Sequence, residues 1–220
     1  MGKRGPKPKP PPVWSAELAY GIGLLVTDGC LSGDGRHITL VSKDIVQLEN
    51  AKKAFNLKSA IGYTRSGYDG NLCPRIQFGN VTLYNFLLEI GLMPNKSKVI
   101  GSLKIPDTYF FDFLRGHLDG DGCTYSYWDP RWRSSYMFYT VFGSASKVHI
   151  VWLRDEIRRQ AGIEGHVTGK GKARTIYQLK YAKKESLILL RRMYYRKNSM
   201  HLPRKRLKIQ KMLSIVGEQL

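Results

Sequence analysis

An apolar, glycine-containing stretch that closes on Asp-Gly occurs twice in this chain. The first copy reads Tyr20-Gly21-Ile22-Gly23-Leu24-Leu25-Val26-Thr27-Asp28-Gly29, and the second Phe113-Leu114-Arg115-Gly116-His117-Leu118-Asp119-Gly120-Asp121-Gly122. Each reads as a short buried helix stopped by a glycine in the left-handed conformation, which glycine adopts without steric cost. Each also leaves a carboxylate, Asp28 or Asp121, at the negative end of the helix, where an acid is disfavoured by about 0.3–1 kcal/mol. One local rule broken twice at matching positions points to a purpose, and cation binding is the simplest. Asp-Gly is otherwise an ordinary turn dipeptide, and Asp34-Gly35 and Asp69-Gly70 read as plain turns. Asp119 reads as a cap or as support for a ligand rather than as a ligand.

The repeat extends past the motif. Ser15 is placed to cap the first motif helix, with Leu18, Ile22 and Leu25 on one stripe. A hairpin follows, turning at Ser32-Gly33-Asp34-Gly35 into a strand from His37 to Ser42. Asp44 caps a helix over about 45–56, Ile61-Gly62-Tyr63 and Arg75-Ile76-Gln77-Phe78 read as strands, and a helix through Leu83, Leu87 and Ile90 ends at Gly91. The second half repeats this order: a motif helix from Phe110 to Asp121, a hairpin turning at Trp128-Asp129-Pro130-Arg131, a return strand Tyr136 to Gly143 and a helix capped by Ser146. Strands at Val167 and Tyr177-Gln178-Leu179 and a helix at Leu187 to Leu190 complete it. Asp28 maps onto Asp121 at an offset of 93 residues, Ser42 onto Ser144 at 102 and Gln77 onto Gln178 at 101, with the longer second hairpin absorbing the difference. The fold class is α+β, two tandem αββαββα halves. Each is too small to bury a large core alone, and packing the motif helices together would complete both. The expected divisions are a basic Pro-rich tail over 1–14, halves over 15–103 and 104–205, and a basic helix or tail over 206–220.

Charge narrows the partner. Lys and Arg number 36 against 17 Asp and Glu, a formal charge of +19, which favours a polyanion. No apolar run reaches the roughly 18 residues of a membrane span, so no membrane partner is expected. The N-terminus lacks the apolar core of a secretory signal, and an intracellular protein is expected. Three cysteines without C-x-x-C spacing argue against a disulfide framework or a zinc ribbon. The five histidines form no H-E-x-x-H motif, and His117, inside a motif helix, reads as packed. From Lys183 to Lys211 eleven basic residues face one acid, Glu185, a density suited to phosphate neutralisation and a steep salt dependence.

With its paired motifs, the sequence resembles the LAGLIDADG homing endonucleases in their single-chain, two-motif form, over about residues 17–205. Leu114 to Gly122 matches the pattern's Gly, both Asp and final Gly, whereas the first copy has Val26 where the pattern has its earlier Asp. Pro94-Asn95-Lys96-Ser97-Lys98 and Phe113-Leu114-Arg115-Gly116 are similar to family stretches as well. The resemblance implies a saddle whose sheets straddle duplex DNA, with the motif helices above the minor groove and one strand cut by each half to leave 3′ overhangs. It implies that the later acids, Asp28 and Asp121, hold the metal. The backbone at Gly29 and Gly122 is expected to join them. A lysine near the water pocket is implied too: Lys96 and Lys197, which share the 101-residue offset, are the first choice, and Lys98 and Lys205 the rivals. Ser42 and Ser144 stand where the family positions water.

The chemistry agrees. Hydrolysing a phosphodiester needs a nucleophilic water and neutralised charge at phosphorus, which carboxylate-held divalent ions supply. Mg²⁺, which takes one or two carboxylates plus phosphate oxygens and water, is the expected cofactor, with Ca²⁺ or Mn²⁺ able to substitute in binding. Base reading calls for polar side chains on one sheet face, and alternation puts Arg75 with Gln77, and Arg174, Gln178 and Lys180 together. Arg65, Arg131 and Arg133, near loops, read as phosphate contacts. The expected protein is a monomeric, Mg²⁺-dependent endonuclease encoded in an intron or similar mobile element, cutting a long non-palindromic site in double-stranded DNA. The rival is a non-cleaving nucleic-acid binder on the same fold, an intron RNA maturase or a transcription regulator. A ribosome-associated basic protein fits the duplicated acids poorly.

Overall fold

The computed structural model describes residues 10–65, 70–169 and 176–220. Asp69, Arg174 and residues 1–9 of the tail lie outside them. The remainder of the tail packs on the body: Pro10, Pro11, Pro12 and Val13 border a groove with Phe55 and Leu83, and the Trp14 ring meets Phe86 edge-on at 5.4 Å.

The first half runs α1 (Ala16–Asp28), β1 (Gly29–Leu31), β2 (His37–Val41), α2 (Ile45–Ala54), β3 (Gly62–Arg65), β4 (Leu72–Gly79) and α3 (Val81–Glu89). The second runs α4 (Phe110–Asp119), β5 (Cys123–Trp128), β6 (Tyr136–Ser144), α5 (Lys147–Ala161), β7 (His166–Thr168), β8 (Tyr177–Tyr181) and α6 (Lys183–Met193). A further helix, α7 (Pro203–Ile215), follows and is continuous across the division expected at 205. Each half carries one antiparallel four-stranded sheet, ordered β1-β2-β4-β3 and β5-β6-β8-β7. The twofold repeat read from the sequence is the architecture. Among the described residues no helix is long and apolar enough to cross a membrane.

Polar caps start the helices as the sequence implies: Leu18, Val46 and His149 donate their amides to the side chains of Ser15, Asp44 and Ser146. Asp34 accepts from the amides of Arg36 and His37 and so builds the first hairpin turn. In each sheet one face is core. Ile38, Leu40 and Ile76 are buried in the first, and Phe138, Phe142 and Leu179 in the second, under the helices.

The two motif helices cross at their glycines. A Cβ built on Gly23 would lie 2.2 Å from the Phe113 carbonyl, and one on Gly116 would lie 2.1 Å from that of Tyr20. The glycines that end the motifs are not left-handed, contrary to expectation: Gly29 sits at φ −90°, and Gly122 is not among the positive-φ glycines of the described residues. Contact explains them, because a Cβ on Gly29 would lie 2.6 Å from the Leu25 Cα, and one on Gly122 the same distance from the Leu118 Cα. A left-handed stop is found instead at Gly91, φ +103°.

Candidate functional site

Asp28 is the last residue of α1, and Asp121 stands two residues beyond α4. The helix crossing brings these ends together, so that a Cβ on Gly120 would lie 3.0 Å from Asp28 Oδ2. Each carboxylate lines its own recess. A cleft of about 800 Å³ is bordered by Asp28, Ser42, Asp44, Gln47, Gly120 and Arg204. A smaller one of about 240 Å³ is bordered by Asp121, Thr27, Lys96, Ser97 and Ser144.

Burial raises the pKa of both carboxyl groups, and at Asp121 the negative charge of Asp28 raises it further. Two anions that disfavour one another at a helix seam fit a divalent cation. Among the described residues no three His, Cys, Asp or Glu side chains gather as a metal cage. A cation here would therefore rest on two carboxylates and complete its shell from water and phosphate oxygens, a donor set that suits Mg²⁺.

Two lysines answer the helix dipoles. Lys96, buried after α3, donates to the Gly29 carbonyl at the end of α1. Lys205, on α7, lies 2.6–2.9 Å from the carbonyls of Leu118, Asp119, Gly120 and Gly122 at the end of α4. Burial lowers the pKa of both ammonium groups, and the nearby carboxylates raise it. Placing the acids at the negative helix ends is thus offset by cations on the same ends. The Gly29 and Gly122 carbonyls, expected beside a metal, accept hydrogen bonds from these ammonium groups.

The structural twin of Lys96 is Lys205, not Lys197. Lys197 is exposed in the connection from α6 to α7, with its carbonyl accepting from Arg206. Lys98 is exposed too. The offset points to Lys197 because it counts along the chain, whereas the connection bonds α4 through Met200 and Leu202 and it is α7 that brings Lys205 to the carbonyls. Asp119 points into the interior. Its carboxylate accepts from Tyr20 Oη and the Leu202 amide, each at 2.8 Å, and burial pushes its pKa up to about 6.

Ser42, directly after β2, and Ser144, the last residue of β6, each line a carboxylate's recess and accept an amide two residues on, from Asp44 and Ser146, at 3.1 Å. Ser42 then donates to Gln47 Oε1 at 2.9 Å, and Gln47 Nε2 donates to Asp28 Oδ2 at 2.5 Å. Sequence reasoning misses Gln47 because Asp44-x-x-Gln47 has the spacing of a capping box, which would assign it to the helix end. Arg204, also missed, bonds Asp44 Oδ2 at 2.7 Å across the halves.

Strand register sorts the expected DNA contacts. Thr39 pairs Gln77 and Val41 pairs Arg75, so Arg75 and Gln77 share the face opposite buried Leu40 and Ile76. Arg65 pairs Leu72, one residue out of phase, and falls on the other face. In the second sheet Gly143 pairs Gln178 and Val141 pairs Lys180, placing both polar residues on the open face. Tyr125 and Tyr139 stack on that face at 5.1 Å, with Tyr127 6.2 Å from Tyr139. Arg131 and Arg133 are exposed between β5 and β6, and Arg131 pairs with Asp129 at 3.2 Å.

No protein-family model matches the sequence, and no curated protein does either. Solved structures match the fold. The LAGLIDADG meganuclease I-AabMI bound to uncleaved DNA superposes with a TM-score of 0.63 at 13% identity, over 91% of this chain and 90% of that one. The homing endonuclease I-DmoI in complex with DNA and Ca gives 0.58 at 13% identity, over 88% of this chain and 97% of that one. Full-length DUF199/WhiA from Thermatoga maritima gives 0.57 at 15% identity over 93% of this chain, which spans 62% of the length of that protein. The fold is that of the LAGLIDADG homing endonucleases.

Proposed function

We propose that the protein is a site-specific endonuclease for double-stranded DNA that uses Mg²⁺, works as a monomer through its two halves and derives from a mobile intron or a similar element. The observation that carries this reading is the pair of carboxylates, Asp28 and Asp121, at the crossed ends of two motif helices, each in its own recess and each flanked by a lysine-capped helix end. The open sheet faces on either side carry Arg75 and Gln77 in one half and Gln178 and Lys180 in the other. A purine offers Arg and Gln a bidentate partner in the major groove. The charge of +19 supplies the affinity for phosphate.

Asp28 and Asp121 would hold divalent ions against the scissile phosphates, where such ions acidify water and neutralise charge at phosphorus. The remaining work falls to the chain itself. Lys96 and Lys205 place positive charge beside the reacting phosphates while fixing the helix ends. The Ser42–Gln47 pair orients the Asp28 carboxylate and presents a hydroxyl and an amide to a water. A second reading keeps the fold and removes the cutting: a DNA-binding regulator, favoured by the match to WhiA.

Selecting bound duplexes from a random pool in Ca²⁺ and then adding Mg²⁺ separates these readings. Cleavage of the selected site, abolished in Asp28→Asn and Asp121→Asn with binding retained, supports the nuclease. Binding without cleavage in Mg²⁺ supports the regulator, and failure to select any sequence defeats both.

A further inference from the structure

The two recesses share one backbone plan, and the difference that reaches the carboxylates is at the third position after the helix cap. In the first half Ser42 follows a strand, Asp44 caps α2 and Gln47 comes three residues after the cap; in the second half Ser144, Ser146 and His149 hold the matching places. Gln47 points toward the seam and holds Asp28 Oδ2 at 2.5 Å, with its carbonyl taking the Ser42 hydroxyl. His149 points the other way. Its Nδ1 bonds the Gly101 carbonyl at 2.9 Å, its Nε2 lies 3.3 Å from His117 Nε2, and the two rings stack at 5.4 Å. It is 1% exposed and is absent from the recess that Asp121 lines.

The carboxylates differ to match. Asp28 is half-buried and held; Asp121, in its recess, is the more open to solvent of the two, and among the described residues no hydrogen bond to its carboxylate is found. Ser144, also without a glutamine, donates to no side chain among the described residues.

We infer that the two cleavage centres are unequal, that Gln47 is the positioning residue that makes the centre at Asp28 fast, and that the strand opposite Asp121 is cut second. This rests on the nuclease reading. A carboxylate held in one orientation beside a fixed hydroxyl–amide pair needs no reorganisation when a phosphate arrives. Asp121, held by no such pair, must be oriented on arrival, with Ser144 lacking the glutamine partner that Ser42 has. Correct placement of the groups that handle the attacking water is worth about 10²–10⁴ in rate in full. Partial loss at one centre is expected to separate the strands by at least about tenfold.

The experiment uses the full chain, Mg²⁺ and a supercoiled plasmid carrying the duplex selected in Ca²⁺, with each strand labelled separately. One strand is expected to open at least about tenfold faster, with nicked circle accumulating before linear product. Gln47→Met, close in shape but unable to donate, is expected to slow that strand by about tenfold or more, to leave the other within about twofold, and to bring the ratio toward one. Ser42→Ala should move the same strand in the same direction, and it gives an independent reading should Gln47→Met prove unstable by circular dichroism. Cutting of both strands at rates within about twofold, or equal slowing of both in Gln47→Met, overturns the inference and leaves the nuclease reading standing. Binding with no cutting of either strand defeats the nuclease reading and this inference together.

Discussion

Gly116 lies against the backbone of Gly23 so closely that a Cβ built on it comes 3.2 Å from the Gly23 Cα and 2.1 Å from the Tyr20 carbonyl. Two helices can run this near only where neither carries a side chain, and the seam positions both carboxylates. Gly116→Ala is therefore expected to destabilise the protein by about 3 kcal/mol, at the upper end of overpacking costs. Urea unfolding followed by circular dichroism measures it, and a change under about 0.5 kcal/mol would contradict the close crossing.

The lysine assignment has its own test. Lys205 caps the end of α4 at the seam, whereas Lys197 is exposed on the α6–α7 connection. Lys205→Met is expected to lower cleavage at least about hundredfold and stability by about 1–3 kcal/mol, since several carbonyls lose their donor. Lys197→Met is expected to change cleavage less than about threefold. The reverse order in a strand-cleavage assay would restore the pairing implied by the offset.

Charge at the seam works against folding. Asp121 has no hydrogen bond to lose among the described residues and meets the negative charge of Asp28. Asp121→Asn should raise Tm by about 1–3 °C in a metal-free buffer. Adding Mg²⁺ should raise the Tm of the parent more than that of the variant, because a ligand that binds only the folded state stabilises it by mass action. Scanning calorimetry at both metal levels reads the two effects, and a variant that melts below its parent without metal would refute them.

The stacked His117–His149 pair predicts a pH dependence. Burial holds His117 at about 3 and His149 at about 4, both below the ordinary histidine value. In the unfolded chain they take protons near pH 6.5, so their contribution is fully present above that pH and is lost as pH falls toward 4 and 3. Asp119, raised to about 6, acts in the opposite direction over the same range. The comparison is therefore with His117→Phe, which should lose less stability than the parent between pH 7 and 4, by about 2 kcal/mol. Equal slopes in urea unfolding would show that the pair does not titrate with folding.

Base reading is expected to be separable from phosphate binding. Arg75→Ala should cost about 1–3 kcal/mol on the preferred site and relax the preference at one base pair. Arg133→Ala should weaken all sequences alike and lower the salt slope by about one. Binding selections at two salt concentrations distinguish these outcomes.

The legible part of this chain is whatever depends on neighbours along it. Alternation and helical spacing mark the strands and helices of both halves, polar residues at Ser15, Asp44 and Ser146 mark the starts, and two Asp-Gly endings mark the duplication and its acids. These follow from backbone sterics and local burial, which act over a few residues. The same locality misleads where a distant contact decides the outcome. Gly29 and Gly122 read as conformational stops, yet the turn behind each of them excludes a side chain. Gln47 is indistinguishable from a capping residue until α2 packs beside α1, 19 positions from Asp28. Lys205 cannot be told from Lys197 without the path of α7, which returns it to carbonyls 83–87 residues away. Local pattern alone settles the elements, their twofold order and the acids. Tertiary packing settles which lysine, which glutamine and which sheet face meet those acids, because such choices are made by contacts between segments whose separation along the chain carries no local signal.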